Sequence, residues 1–371
     1  MINQLSSLFL LMIILTGCSH FEEDNKDSIL TIDPGKETIE PEEIFSEYKF
    51  VTIDTGVFIP IISSATITEE FIILVDAYKT ETVYFFNKEG RFLHSIKPSG
   101  SGANEFESIK CQFVDNENQK VEVLTEDNRL LTYSFDGQAE TERILDFSPY
   151  SFIKDKEDYF FDLSNEANQY GEWYNIVKIN FLTNQREYLS PAIESHRKYT
   201  ITSDRVFSKQ SNHISYISPL GFSILKLEDD RLETNFLIDI KDNVIDNEFL
   251  NGKNTNSILA SWDEYQLPLF PKLFESDNFY VIQFQIGSFF KGYKSSTIVN
   301  KDNLKNISFE NFLFDSEELE CNIVGTSGQN TLIAYIDAEE LNTKNVKIEI
   351  QSDLGNNKNP ILLIGKLRSR L

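Results

Sequence analysis

The chain is poor in the residues that most often carry chemistry. It has three Cys and four His in 371 residues. There is no Cys-x-x-Cys, which removes the usual redox and zinc signatures. His20, His94, His196 and His213 stand far apart, with no His-x-His or His-x-x-x-His spacing. A zinc site or a Ser-His-Asp triad would therefore have to be assembled wholly by the fold. Basic charge is scarce as well. Lys and Arg number 34 against 59 Asp and Glu, a net charge of -25. Phosphate binding needs a basic footprint, so no nucleic-acid partner is expected. The acidity reads first as a solvated, soluble surface. Asp239 to Glu248 is acidic but lacks the Asp-x-Asp-x-Asx-Gly order of a calcium loop. Ser99 to Phe106 is Gly-rich but lacks the Gly-Lys-Ser/Thr ending of a phosphate loop. No catalytic residue, cofactor or metal follows from these patterns. With only two Met and two Trp, the apolar content rests heavily on 30 Phe and 15 Tyr, which favours β structure over helical bundles.

The apolar run Leu5 to Leu15 is too short to span a bilayer and fits the core of a signal peptide. Leu15-Thr16-Gly17-Cys18 follows it and resembles a bacterial lipobox. The resemblance implies cleavage before Cys18, with acyl chains on its thiol and new amino group. No Lys or Arg precedes the apolar core. Residues 1–17 are thus expected to be a lipoprotein signal peptide. Residues 18–47, acidic and punctuated by Pro34, Gly35 and Pro41, are expected to be a lipidated Cys and a flexible tether. The acidic stretch after Cys18 is similar to the export signal of surface-displayed lipoproteins in Bacteroidetes-type bacteria. The expected location is the outer membrane, lipid-anchored, facing the periplasm or the cell surface.

From Tyr48 onward the chain repeats. Thr82 to Ile96, TVYFFNKEGRFLHSI, reads as a hairpin, with Gly90 free to take the positive φ of a tight turn. Weaker copies turn near positions 136, 183, 229 and 302, giving intervals of 48, 47, 46 and 73 from the first turn at 88. The even intervals match a four-stranded propeller blade of roughly 40–50 residues. The long interval holds Val244 to Gln266, read as a loop and short helix inserted in blade five. Tyr48 to Ile53 is a spare strand that can complete the last blade and leave no open edge. The expected fold is therefore all-β: a six-bladed β-propeller of four-stranded antiparallel blades over residues 48–371.

The segments Val83 to Leu93, Gly100-Ser101-Gly102-Ala103-Asn104-Glu105-Phe106 and Asn359 to Ile364 also resemble the six-bladed β-propeller lipoproteins of Bacteroides-type genomes, which are distantly NHL-like. The family's Gly-rich stretch is close to GGQGPGEY. Here Gly-Ala-Asn replaces its Gly-Pro-Gly core, while Glu105 and an aromatic remain. No catalytic residue transfers with the resemblance.

Function in a propeller sits in its loops. The expected role is an envelope binding or protein-interaction module, with an envelope protein or a glycan or peptide as ligand. An enzyme with a central-channel site, such as a polysaccharide lyase or hydrolase, is one alternative. A structural part of an envelope complex is the other. Trp173, Tyr174, Trp262 and Tyr265 fall in likely loop positions where aromatics stack on sugars or anchor partners, although such residues more often cap a core edge. Cys111 and Cys321 fall in inner strands of non-adjacent blades, too far apart for a disulfide, and are expected as free buried thiols.

Overall fold

The computed structural model describes residues 28–370, apart from 98–99, 101, 165–166, 169, 193–200, 202, 219–221, 229–230, 243–244, 246, 251–252, 289–290, 321, 345 and 347–357. The expected signal peptide, Cys18, His20, His196 and Cys321 lie outside the described residues.

The strands form seven sheets. The first blade is Ser64–Ile67, Ile72–Asp76, Thr82–Phe86 and Phe92–Ile96. The second is Cys111–Asp115, Lys120–Leu124, Arg129–Ser134 and Ala139–Ile144. The third is Ser151–Asp155, Asp158–Asp162, Tyr174–Asn180 and Gln185–Pro191. The fourth is Phe207–Lys209, Ile214–Ile217, Ser223–Glu228 and Arg231–Ile240, and the fifth is Pro268–Glu275, Phe279–Ile286, Tyr293–Asn300 and Asn306–Phe309. A three-stranded sheet follows, made of Thr38–Ile39, Asn311–Phe314 and Glu317–Glu320. The last blade is Asn322–Ser327, Thr331–Ile336, Ile361–Leu367 and Phe45–Thr52.

The fold is thus an all-β, seven-bladed propeller, and the six-bladed count is corrected. The error lies at Asn306 to Phe314, which reads as one apolar strand. It breaks at Glu310: Asn306–Phe309 edges the fifth blade, and Asn311–Phe314 turns away to pair with Glu317–Glu320. The tether is corrected too. Ser28–Ile32 adds a parallel fifth strand to the fourth blade, against Phe236 to Ile240, and Thr38–Ile39 pairs with Asn311 and Phe312. Leu30, Ile32, Ile39 and Ile44 are buried, so the chain from residue 28 is part of the propeller. Phe45–Thr52 runs antiparallel to Ile361–Leu367 and joins the two ends of the chain in one sheet. Ser64–Ile67 of the first blade lies beside Asn322–Ser327 of the last, which closes the ring. The insertion before the fifth blade contains three short helices, Asn247–Leu250, Thr255–Ala260 and Trp262–Tyr265.

Strand position explains strand composition. Middle strands are covered by blades on both faces, so Ile72–Asp76 and Thr82–Phe86 are buried at every residue and read as continuous rather than alternating runs. The outermost strand Ala139–Ile144 has no fully buried residue and is polar. The cores lie between blades. One joins Phe85 and Ile96 of the first blade to Val121 and Tyr133 of the second. Another joins Leu124 and Leu130 to Phe152 and Phe161 of the third.

The Thr82–Ile96 hairpin turns at Gly90 with φ +82°, and a Cβ there would stand 2.0 Å from the Thr52 carbonyl oxygen of the closing strand. The positive φ and the clash both penalise a side chain. Gly90→Ala is expected to destabilise the fold by at least about 2 kcal/mol, read as a lowered denaturation midpoint. A change within experimental error would contradict this packing of hairpin on closing strand.

Candidate functional site

In each antiparallel meander the first strand begins, and the hairpin between the second and third strands turns, at the same end of the ring. At that end a cavity of about 960 Å³ opens, walled by the first, second, third, fourth, fifth and last blades. Among the described residues, none from the three-stranded sheet lines it. Its wall mixes Ile61, Ile109, Phe284 and Val324 with Lys110, Lys272 and Lys294. Large apolar side chains exposed at this end include Phe58, Tyr78, Tyr170 and Tyr265. Those exposed elsewhere among the described residues, such as Leu93, Leu182 and Leu237, are aliphatic.

The floor of the mouth is a charged cluster. Lys272 Nζ lies 2.9 Å from Asp204 Oδ1, and the Tyr78 hydroxyl donates to Asp204 Oδ2 at 3.2 Å. Burial works against the Asp204 charge, but Lys272, Arg205 and the Tyr78 hydroxyl prevail and hold its carboxyl below the usual range. The Asp204 charge, helped by burial, raises the Tyr78 hydroxyl above its ordinary value. The second carboxylate of the wall, Glu126, faces Lys110 at 3.6 Å. Both acids of the mouth are therefore spoken for by lysines.

Asp204 also borders a second cavity of about 410 Å³ toward the opposite end. Its wall includes Gln112, Asp115, Phe152, Arg205, Lys209, Glu275 and Ser327. Glu275 Oε1 is held by Lys301 at 2.6 Å and by His213 Nε2 at 2.9 Å. Burial pushes the Glu275 carboxyl up, but His213 and Lys301 outweigh it and keep it below its ordinary value.

The residues singled out in the sequence do not converge. Trp262 is 5% exposed, its indole N–H donates to the Leu267 carbonyl at 2.9 Å, and its ring packs on Phe270, a residue of the mouth wall. It supports the mouth from behind and offers no free face. Tyr265, 45% exposed, meets Phe249 edge-on at the rim. Tyr174 packs against Tyr188 at 5.2 Å, and Trp173 forms a bridge with Ala167 in the loop that also carries Tyr170. Cys111 is a free, buried thiol, which burial pushes up to about 12, far from a reactive thiolate. His94 stacks on Phe85 at 4.4 Å and contacts the Phe135 carbonyl at 2.6 Å, a packing role.

A family model described as a domain of unknown function, DUF4934, matches residues 30–366. The chain belongs to this family. The DUF4934 chain is similar in fold to a protein of Bacteroides fragilis NCTC 9343 described as exported. The two share 15% identity and a TM-score of 0.75 over 92% of this chain and 100% of that one. It is also similar to a member of the DUF4221 family from Bacteroides vulgatus ATCC 8482, at 12% identity and a TM-score of 0.54 over 87% and 97% of the two chains. At these identities the likeness is one of fold. No curated protein matches the chain.

Sequence reasoning missed the residues that shape the DUF4934 channel. Tyr78, Asp204 and Lys272 belong to the first, fourth and fifth blades and are separated by 126 and 68 positions. The one local hint was Tyr78 itself, an aromatic at the tip of a hairpin loop.

Proposed function

We propose that this DUF4934 protein is an exported, lipid-anchored binding or interaction module of the cell envelope. The observation that carries the reading is the cavity of about 960 Å³ at the end where Phe58, Tyr78, Tyr170 and Tyr265 are exposed. A concave site with apolar walls, a few placed charges and a rim of aromatics suits recognition. The pairing of both mouth carboxylates with lysines favours binding over hydrolysis or lyase chemistry, which needs an acid and a base free to exchange protons. Export and anchoring are supported by the Leu15 to Cys18 motif and by the description of the similar Bacteroides fragilis protein as exported. The ligand is an envelope protein, or a glycan or peptide.

The test is crosslinking and affinity capture of the full chain from its native membrane, alongside a Phe58→Ala/Tyr78→Ala/Tyr170→Ala variant of unchanged melting temperature. The expected result is a stoichiometric partner, or saturable binding in a glycan and peptide screen, that falls at least about tenfold in the variant. Binding undiminished in the variant, or no binding in either assay, would overturn the reading.

A further inference from the structure

The cavity of about 410 Å³ beyond Asp204 has a charge balance that the mouth does not share. Asp115 is held by Lys154 at 3.4 Å and Glu275 by Lys301 and His213. Asp204 is held by Lys272 at 2.9 Å, and Lys209 by Asp155 at 3.0 Å. Glu117 stands exposed on the rim. Arg205 remains. Its guanidinium carbon lies 5.2 Å from the centre of the Phe274 ring. The adjoining Asp204 attracts it by charge, but the guanidinium makes no side-chain hydrogen bond or close ion pair among the described residues. Its backbone is fixed: Arg205 N–H donates to Ser203 Oγ, and its carbonyl accepts from Leu273 N–H at 2.8 Å.

Arginine stays charged at any ordinary pH and carries five donors in a rigid fork. A guanidinium held partly out of water with its N–H groups unbonded is costly, and the nearby Asp204 charge offsets only part of that cost. Phe274 lies against the guanidinium on one side, and Arg205 itself lines the cavity, so its donor edge is what a bound group there would meet. A planar oxyanion is the group that such an edge accepts bidentately. Neutral donors stand in the same wall, including Gln112, Ser208 and Ser327. The volume falls within the range of small-molecule sites, roughly 300–1,000 Å³. We propose that this lower cavity is a carboxylate-binding site centred on Arg205, taking a small organic acid or the carboxylate of an acidic sugar. It is separate from the mouth used in the functional reading above, and each can fail without the other.

The test is calorimetric titration of the full chain in detergent with acetate, glucuronate and, as the neutral control, glucose. Acetate presents the bare group and glucuronate the same group on a sugar ring. Saturable, equimolar binding of at least one carboxylate is expected, with none for glucose. Tighter binding of acetate would assign a small acid, and tighter binding of glucuronate an acidic sugar. Arg205→Met keeps an apolar stem on Phe274 and should weaken binding at least about tenfold. Arg205→Lys keeps the charge but loses the fork and should fall between; it decides the matter if the Met variant does not fold. Equal binding of glucose, binding unchanged in both variants, or no saturable binding of either carboxylate would overturn the site.

Discussion

A Cys18→Ser chain is expected to lose all incorporation of labelled palmitate and to move from the membrane to the soluble fraction on an alkaline wash. Membrane affinity from acyl chains grows by about 0.8 kcal/mol per buried methylene, and stable anchoring takes more than one chain. Serine keeps the size of the side chain and removes the thiol, so acylation at that atom stops. The apolar run Leu5 to Leu15, if uncleaved, is too short to span and would not hold against the wash. Equal labelling of the two proteins would refute the lipoprotein reading, whatever their fractionation. The corrected tether sharpens the consequence. Since Ser28–Ile32 is a strand of the fourth blade, only the nine residues 19–27 separate anchor from propeller, a reach of at most about 35 Å. The outer edge of the fourth blade would therefore stay close to the bilayer.

The parts of the fold that were legible in the sequence are those set by local chemistry. The hairpin Thr82 to Ile96, the turn at Gly137 with φ +84° and the turn at Asn184 with φ +57° each combine apolar strands with a residue that tolerates positive φ. What escaped is set by distant partners. Glu317–Glu320 reads Glu-Glu-Leu-Glu and shows no apolar alternation, yet Leu319 alone, fully buried, docks it onto Phe312 and Phe314. In Ser28–Ile32, Leu30 and Ile32 alternate with exposed neighbours. That period-2 signal was present but was outweighed by the acidic residues around it. The charged floor of the mouth could not be read at all, since a ring brings together residues that no spacing rule relates.

The second large effect is expected at the seam between the second and third blades, where Lys154→Met should cost about 3–5 kcal/mol. Lys154 Nζ lies 3.0 Å from Glu122 Oε1 and 3.4 Å from Asp115 Oδ2, and the Tyr159 hydroxyl donates to Glu122 Oε1 at 3.0 Å. The Glu122 side chain is 1% exposed. Removing the lysine leaves a buried carboxylate with only a phenol to face, which costs far more than the intact pair contributes. Burial already pushes the Glu122 carboxyl above its ordinary value, more than Lys154 and Tyr159 pull it down. A raised folded value means that the folded state holds this proton more tightly than the unfolded chain. Its contribution is therefore greatest at acid pH and is lost as pH rises through the folded value. Without Lys154 the folded value rises further. The deficit of Lys154→Met should then be full at pH 8 and shrink toward pH 5, as the buried acid takes up its proton. Adding Glu122→Gln should recover most of the loss at pH 8, because the fully buried charge is then gone and Asp115, the other partner of Lys154, keeps its hydrogen bonds from Asn118. Denaturant midpoints of the wild type, the single variant and the double variant at both pH values decide the matter. A deficit below about 1 kcal/mol, the scale of a solvent-screened pair, or one that does not change with pH, would show that the seam is held by its packed Phe152, Tyr159 and Phe161 rings and not by this ion pair.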